Sequence, residues 1–241
     1  NMRWMRPGTN KVRYGDFSPL WESLIEKAHR VRPTSGLEFV ASRHFPDEVQ
    51  GDLLFNNTIG YLGIKQHTLE DSGTGYSSKH RQDLLTSTDG NFRPVDLEFA
   101  PDGSLYLLDW HNVLVGHMQH SARDPYRDHK HGRVYRITYP SRPLLKPVSV
   151  KGAELSELLD HLKLPEDRVR YRVRRELRGR PVGEVFVALK TWLKGLDASD
   201  PRVDHHRLEA LWVGWGLNQV DTDLLKELLV SKNHRVRAAA V

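Results

Sequence analysis

The spacing of apolar residues along this 241-residue chain changes character once, near residue 139, and that change limits what the chain can fold into. From residue 36 to 139 the apolar residues fall in seven short runs: LEFVA (37–41), GDLLFNN (51–57), IGYLGIKQHTL (59–69), QDLLTS (82–87), VDLEFA (95–100), SLYLLDW (104–110) and RVYRITY (133–139). Short runs at intervals of about 8–12 residues with turn formers between them indicate an all-β sandwich, barrel or propeller. DSGTGYSS reads as a Gly/Ser-rich turn between the third and fourth runs, and Pro101-Asp102-Gly103 as a tight hairpin turn between the fifth and sixth. Seven strands fill nearly two four-stranded propeller blades, 37–87 and 95–139. Two blades cannot close a ring, and both termini read as cut, so the chain is expected to be an internal fragment whose other blades precede Asn1.

Beyond the proline-punctuated connector PSRPLLKP, expected as a linker over 140–150, every segment has helical spacing: 153–162, 166–177, 182–196, 205–217, 222–230 and 234 onward. A motif recurs in RVRYRV at Arg168, RLEALW at Arg207 and RVRAAA at Arg235, with separations of 39 and 28 residues. That is near the length of a helical-pair repeat of the HEAT kind, in which each helix buries one stripe and the pairs stack to hide it. A HEAT-like α-solenoid is therefore expected over 151–241. Leu208, Leu211, Trp212 and Trp215 read as its core stripe, and His205 and His206 as surface residues at a helix start. Residues 1–35 are mixed, with one helix expected over 19–31 behind Ser18 as N-cap. The fold class expected is α+β and multidomain: the last blades of a propeller, then the solenoid.

Composition narrows the function. With 38% hydrophobic and 28% charged residues the chain is globular rather than disordered. No apolar run approaches the roughly 20 residues of a membrane helix, and the first residues lack the apolar core of a signal peptide. The absence of cysteine excludes disulfides, thiolate metal sites, a cysteine nucleophile and a c-type haem attachment motif within these residues. The net charge of +5 is spread among 31 acidic residues, and the densest basic cluster, RVRYRVRRELRGR (168–180), reads as a solvated helix face. Nucleic acid is not expected as a partner.

The chemistry concentrates in the connection 110–132 and the residues bounding it. From Asp109 to Arg133 the chain holds five of its thirteen histidines, with three arginines and three aspartates. Loops longer than about 12–15 residues are usually functional or disordered, and this one lacks the Ser/Gly filler of a linker. His117 and His120 form HxxH, and His129 and His131 form HxH; on a helical turn or a strand respectively, each pair presents both rings to one side. Such rings suit a mononuclear zinc, copper or iron site, or a general base, for which His129 and His131 are the candidates. Ion pairs Arg123–Asp124 and Arg127–Asp128 that only stiffen the loop are the plainer alternative. Asp109, at the end of an inner strand, and Asp96, on the strand before it, offer the hard oxygens that calcium prefers, although a carboxylate accepting backbone hydrogen bonds there is an equal alternative.

These residues carry a resemblance. FRPVD (92–96), PDGSLYLLDW (101–110) and RDHKHGRVYRI (127–137) closely resemble the end of the propeller in a group of exported bacterial proteins. These are the membrane-bound dehydrogenase-type, glucose/sorbosone dehydrogenase-like proteins abundant in planctomycetes and verrucomicrobia. There the propeller is followed by HEAT repeats and often by a c-type cytochrome domain, and the resemblance extends over 37–241.

The resemblance implies an oxidoreductase related to soluble quinoprotein sugar dehydrogenases, with pyrroloquinoline quinone (PQQ) and calcium (Ca2+) in the propeller mouth. The substrate would be a sugar or related alcohol, the electron acceptor a cytochrome, the location periplasmic or extracellular, and any haem c would lie outside these residues. A quinone bearing three carboxylates needs cations, for which Arg93, Arg123, Arg127 and Arg133 are the candidates, joined by His117 and His120. The rival expectation is a non-catalytic propeller–HEAT scaffold that binds protein or carbohydrate, with a protein partner on the solenoid surface. Fold alone does not decide between them.

Overall fold

The computed structural model describes residues 34–58, 61–114 and 123–241. The helix expected over 19–31, and His117 and His120 with the HxxH spacing, lie outside the described residues. The chain is α+β: among the described residues, two antiparallel sheets of four and three strands precede six helices. It divides into two compact units, 1–145 and 146–241.

In the first unit, β1 (Thr34–Phe39), β2 (Leu53–Asn57), β3 (Gly63–Ser72) and β4 (Gly75–Thr86) form one sheet in chain order. A second sheet, also in chain order, contains β5 (Pro94–Phe99), β6 (Leu105–Asp109) and β7 (Arg133–Ile137). Most of DSGTGYSS, expected as turn, is strand: β3 and β4 pair as far as Ser72 and Gly75, which leaves a two-residue reversal. Serine, threonine and tyrosine in that segment pair across the hairpin as readily as they fill a loop, so composition misjudged it.

The PDG hairpin forms as its residues dictate. Gly103 donates its N–H to the Ala100 carbonyl and takes φ 81, closing a turn that only a glycine fits without strain. Period-two alternation then puts Leu97 and Phe99 of β5 beside Leu105 and Leu107 of β6 on one buried face. Against them pack Leu54 and Ile64 of the first sheet and Val40 just beyond β1, with Phe45 meeting Phe99 edge-to-face at 5.4 Å. Each such side chain contributes about 1.5–3 kcal/mol on full burial.

The sheets meet mainly through their first strands, β1 and β5. Gly36 forms a bulge in β1 at φ 54, and Ser35 donates its hydroxyl to the Pro94 carbonyl at 3.0 Å.

Chain order within each sheet sorts the connections into two ends. The β4–β5 link and the long β6–β7 connection lie at one end, and the β1–β2 link and the PDG turn at the other. At this second end, residues 139–145 are not free linker. Tyr139 donates its N–H to His44 Nε2 at 2.9 Å, so His44 carries its proton on Nδ1 and donates it to the Pro143 carbonyl at 3.0 Å. Arg142 grips both carboxylate oxygens of Asp47 at 2.9 Å. His44 is buried, and His44→Ala removes two hydrogen bonds that hold this strap. The expected cost is about 1–3 kcal/mol, read as a lower urea midpoint with the strap's amides exchanging faster.

The second unit comprises α1 (Leu155–His161), α2 (Asp167–Arg178), α3 (Val182–Lys194), α4 (Val203–Gly216), α5 (Thr222–Leu229) and α6 (His234–Ala240). Its core runs from Leu158, Leu159 and Leu162 through Val173 and Leu177 to Leu211 and Leu228. Asp221 caps α5 by accepting from the Asp223 and Leu224 amides, and Asn233 caps α6 by accepting from that of Arg235.

The recurrent motif has a structural counterpart. Val169, Leu208 and Val236 are all buried, and the next residue reaches for backbone or its equivalent. Arg170 donates to the Leu164 and Pro165 carbonyls, and Arg237 to those of Ser231 and Lys232, six and five residues earlier in both cases. At the middle position stands Glu209.

Two expectations for α4 need correction. The helix begins at Val203, so His206 falls within its first turns and is buried, with Nε2 3.2 Å from Asp200 rather than at the surface. Leu208 and Leu211 are core, whereas Trp215, in the last turn of the helix, is 68% exposed.

Candidate functional site

At the end of the second sheet where the long connection leaves, backbone and carboxylates build a compact polar cluster. Alternation along β6 puts Asp109 on the buried face, one pair beyond Leu107. Its Oδ1 accepts the Arg93 and His111 amide N–H groups at 2.7 and 2.8 Å. Its Oδ2 is buried and makes no hydrogen bond, with the Arg133 guanidinium 3.5 Å away. Arg133 is drawn instead to Asp89 on the β4–β5 link, at 2.7 Å.

Arg93 faces the loop and is consumed by it. Nε donates to the Asn112 carbonyl at 2.9 Å and Nη2 to that of Val113 at 3.0 Å, and burial lowers its pKa below the usual guanidinium range. Asn112 in turn donates to the Asp128 carbonyl at 3.2 Å, and Arg127 to the Leu114 carbonyl at 3.3 Å. The two described ends of the connection are thereby fastened together.

Asp128 organises the far side of the loop. Its Oδ1 accepts the Lys130 and His131 amides at 2.8 and 3.0 Å, and its Oδ2 meets His131 Nδ1 at 2.8 Å. The Lys130 amide and then the His131 ring hold its carboxyl down to a pKa of about 2. His111 approaches the same oxygen with Nε2 at 3.6 Å, held there by a backbone φ of 54 that is unusual for a non-glycine. With Nδ1 engaged by the carboxylate, a neutral His131 carries its proton there and turns a bare Nε2 lone pair to solvent, since the side chain is 70% exposed.

The residues singled out from sequence are therefore divided. His131, Arg93, Arg133 and Asp109 share one end of the second sheet. His129 is exposed beside them, but the HxH is not on a strand, since β7 begins only at Arg133, so the two rings are not aligned by a pleat. Arg123 is exposed on the loop. Asp96 is not part of the cluster: it pairs with Leu108 on the solvent face, opposite to Asp109, and accepts its neighbour Leu97's amide. One calcium ion cannot take both carboxylates.

Three members of the cluster lay outside the candidates drawn from sequence. Asp89 lies 44 residues from Arg133, and nothing local announces the pair. His111 depends on its unusual backbone. Asp128 was readable in principle, since an aspartate two and three residues before amides in a loop is the pattern of an Asx turn.

The PQQ and calcium implied by the resemblance are not matched by this arrangement. Arg93 is spent on carbonyls and Arg133 on carboxylates, and among the described residues no group of three or more His, Asp or Glu side chains could hold a metal.

Fold and site together define an α+β protein with a pinned histidine–carboxylate cluster at one end of an antiparallel sheet. The chain belongs to the family of a domain of unknown function, DUF7133, whose model matches residues 4–141. No curated protein and no solved structure matches it. Among the described residues no helix is long and apolar enough to cross a membrane.

Proposed function

We propose that the first unit is part of a β-propeller and the second a HEAT-like solenoid, within a quinoprotein-like dehydrogenase that oxidises a sugar or related alcohol and passes electrons to a cytochrome-type acceptor. Such a protein works in the periplasm or outside the cell. Support for the propeller comes from the outward faces of both sheets. Leu37 and Phe39 of the first are 57% and 47% exposed, as are Leu108 and Val134 of the second at 43% and 64%. Apolar residues on both outer faces suit blades that pack between neighbours in a ring. Support for the solenoid comes from the repeated Arg170 and Arg237 geometry, and from α4 packing against α2 on one side and α6 on the other.

The observation that carries the dehydrogenase reading is the Asp128–His131 pair. Alcohol oxidation releases a hydroxyl proton, and Nε2 of His131 is an exposed acceptor for it. Asp128 holds the ring and stabilises the imidazolium that results. Because its carboxyl stays ionised down to about pH 2, Asp128 contributes no acid limb to a rate profile at ordinary pH. Its hold on the loop is complete above its unfolded value of 3.8 and is lost only as pH falls through about 2. In this reading, residues other than Arg93 and Arg133 hold the cofactor.

The test is sugar-dependent dye reduction by the full chain supplied with PQQ and calcium. His131→Asn is expected to lower turnover by about 10²–10⁴-fold, with a smaller loss for Asp128→Asn. Wild-type protein without turnover, or His131→Asn with unchanged turnover, overturns the reading. The second reading, a non-catalytic scaffold binding protein or carbohydrate, is favoured by the occupied state of Arg93 and Arg133, which stiffen the loop and leave those donors unavailable to an anion. Sugar binding by calorimetry without any dye reduction selects it.

A further inference from the structure

The second unit has a groove that neither reading uses. Between α2 and α4 lies a cavity of about 630 Å³, lined by Tyr171, Arg174, Arg175, Arg178, Trp212 and Trp215 among others. Its floor is electrically settled: Glu209, fully buried, takes Arg170 at 2.9 Å and Arg174 at 2.5 Å. Its rim is not. Arg175 and Arg178 are exposed and have no carboxylate partner among the described residues; Arg175 lies 5.8 Å over the Tyr171 ring. The Arg178 guanidinium reaches across to Gly216 of α4, where no side chain blocks it.

Beside this cationic half is an apolar one, formed by the indole rings of Trp212 and Trp215. Trp215 is 68% exposed.

We propose that this groove binds an acidic peptide segment that carries a large apolar side chain. Carboxylates of the segment meet Arg175 and Arg178, whose planar forks match them, and the apolar residue lies over the Trp215 indole. Charge complementarity selects the ligand: the two rim cations are the unneutralised charges of the groove, and the indole face beside them favours a segment that carries an apolar side chain over one that is merely anionic. The proposal concerns the helical unit alone and does not depend on the dehydrogenase reading.

The experiment is fluorescence anisotropy of the full chain with a labelled 12-residue peptide of aspartate and glutamate around one phenylalanine. Three further probes are the same peptide with alanine for phenylalanine, a neutral peptide, and a duplex oligonucleotide. The acidic phenylalanine peptide is expected to bind, more weakly as salt rises. The paired substitution Arg175→Glu and Arg178→Glu is expected to weaken it by about tenfold or more. Trp215→Ala is expected to reduce binding of the phenylalanine peptide towards that of its alanine counterpart. All three side chains are exposed, so circular dichroism of the variants should match the parent. Equal binding of the neutral peptide, tighter binding of the oligonucleotide, no effect of the charge reversals, or self-association of the chain that excludes the peptide would each overturn the proposal.

Discussion

Glu209→Ala is expected to destabilise the helical unit by about 3–5 kcal/mol, as removal of one partner from a buried ion network does. Glu209 is wholly buried in α4, and both its oxygens receive guanidinium groups from α2. Burial pushes its carboxyl upward, but the His205 ring and the charges of Arg174 and Arg170 outweigh that and leave it below its ordinary range. Without the carboxylate, Arg170 at 11% exposure retains only backbone carbonyls and Asp167 as acceptors, and two neighbouring cations of α2 stand side by side at the helix contact with no anion between them.

The lowered carboxyl also sets a pH dependence. Its stabilisation is fully present above the unfolded value of 4.5 and fades as pH falls below it. Urea denaturation of the full chain, followed by far-ultraviolet circular dichroism, should therefore show parent and variant converging in acid. A variant within about 0.5 kcal/mol of the parent at neutral pH would show that the buried network adds no net stability.

Gly36→Ala is expected to cost about 2–5 kcal/mol in the first unit, from two sources that can be separated. Its φ of 54 strains any side chain, and a Cβ there would lie 2.7 Å from both the Asp96 Cα and the Val95 carbonyl oxygen. Those are backbone atoms of β5, so relief requires the two sheets to part. Gly51 supplies the comparison: its φ is 84, but nothing lies within 4 Å of its Cβ position. Gly51→Ala should therefore show the backbone strain alone, about 1–2 kcal/mol. The excess at Gly36 measures how closely β1 and β5 approach. Hydrogen exchange of the β1 and β5 amides reports it directly, and equal losses at the two glycines would refute the close-packing account.

Much of the architecture was legible because local physics suffices for it. Alternation in VDLEFA and SLYLLDW identifies β5 and β6 and their buried face, and Gly103 after Pro-Asp identifies the reversal between them. Helical spacing locates the six helices of the second unit to within a few residues, since each needs only one apolar stripe. The recurrence of RVR at Arg168 and Arg235 even marks the arginines that turn back on the preceding carbonyls.

The site was less legible. The loop from Asp109 to Arg133 announces itself by composition, but which of its groups are occupied does not follow from composition. Arg93 looked like an anion grip and holds backbone carbonyls. Asp96 and Asp109 looked like interchangeable ligands and point to opposite faces, because they stand at non-equivalent positions of neighbouring strands. Trp215 looked like core and stands in solvent.

What the amino-acid order determined by itself is the succession of short strands and then helices, the turn chemistry, and the crowding of titratable side chains into one connection. These depend on contacts within a few residues, where steric and hydrogen-bonding preferences act directly. Tertiary structure alone decided which charges neutralise one another: Asp89 with Arg133, and Glu209 with Arg170 and Arg174. These pairings span 35 residues or more, and over that distance a charge finds its partner only after the backbone has brought the two together.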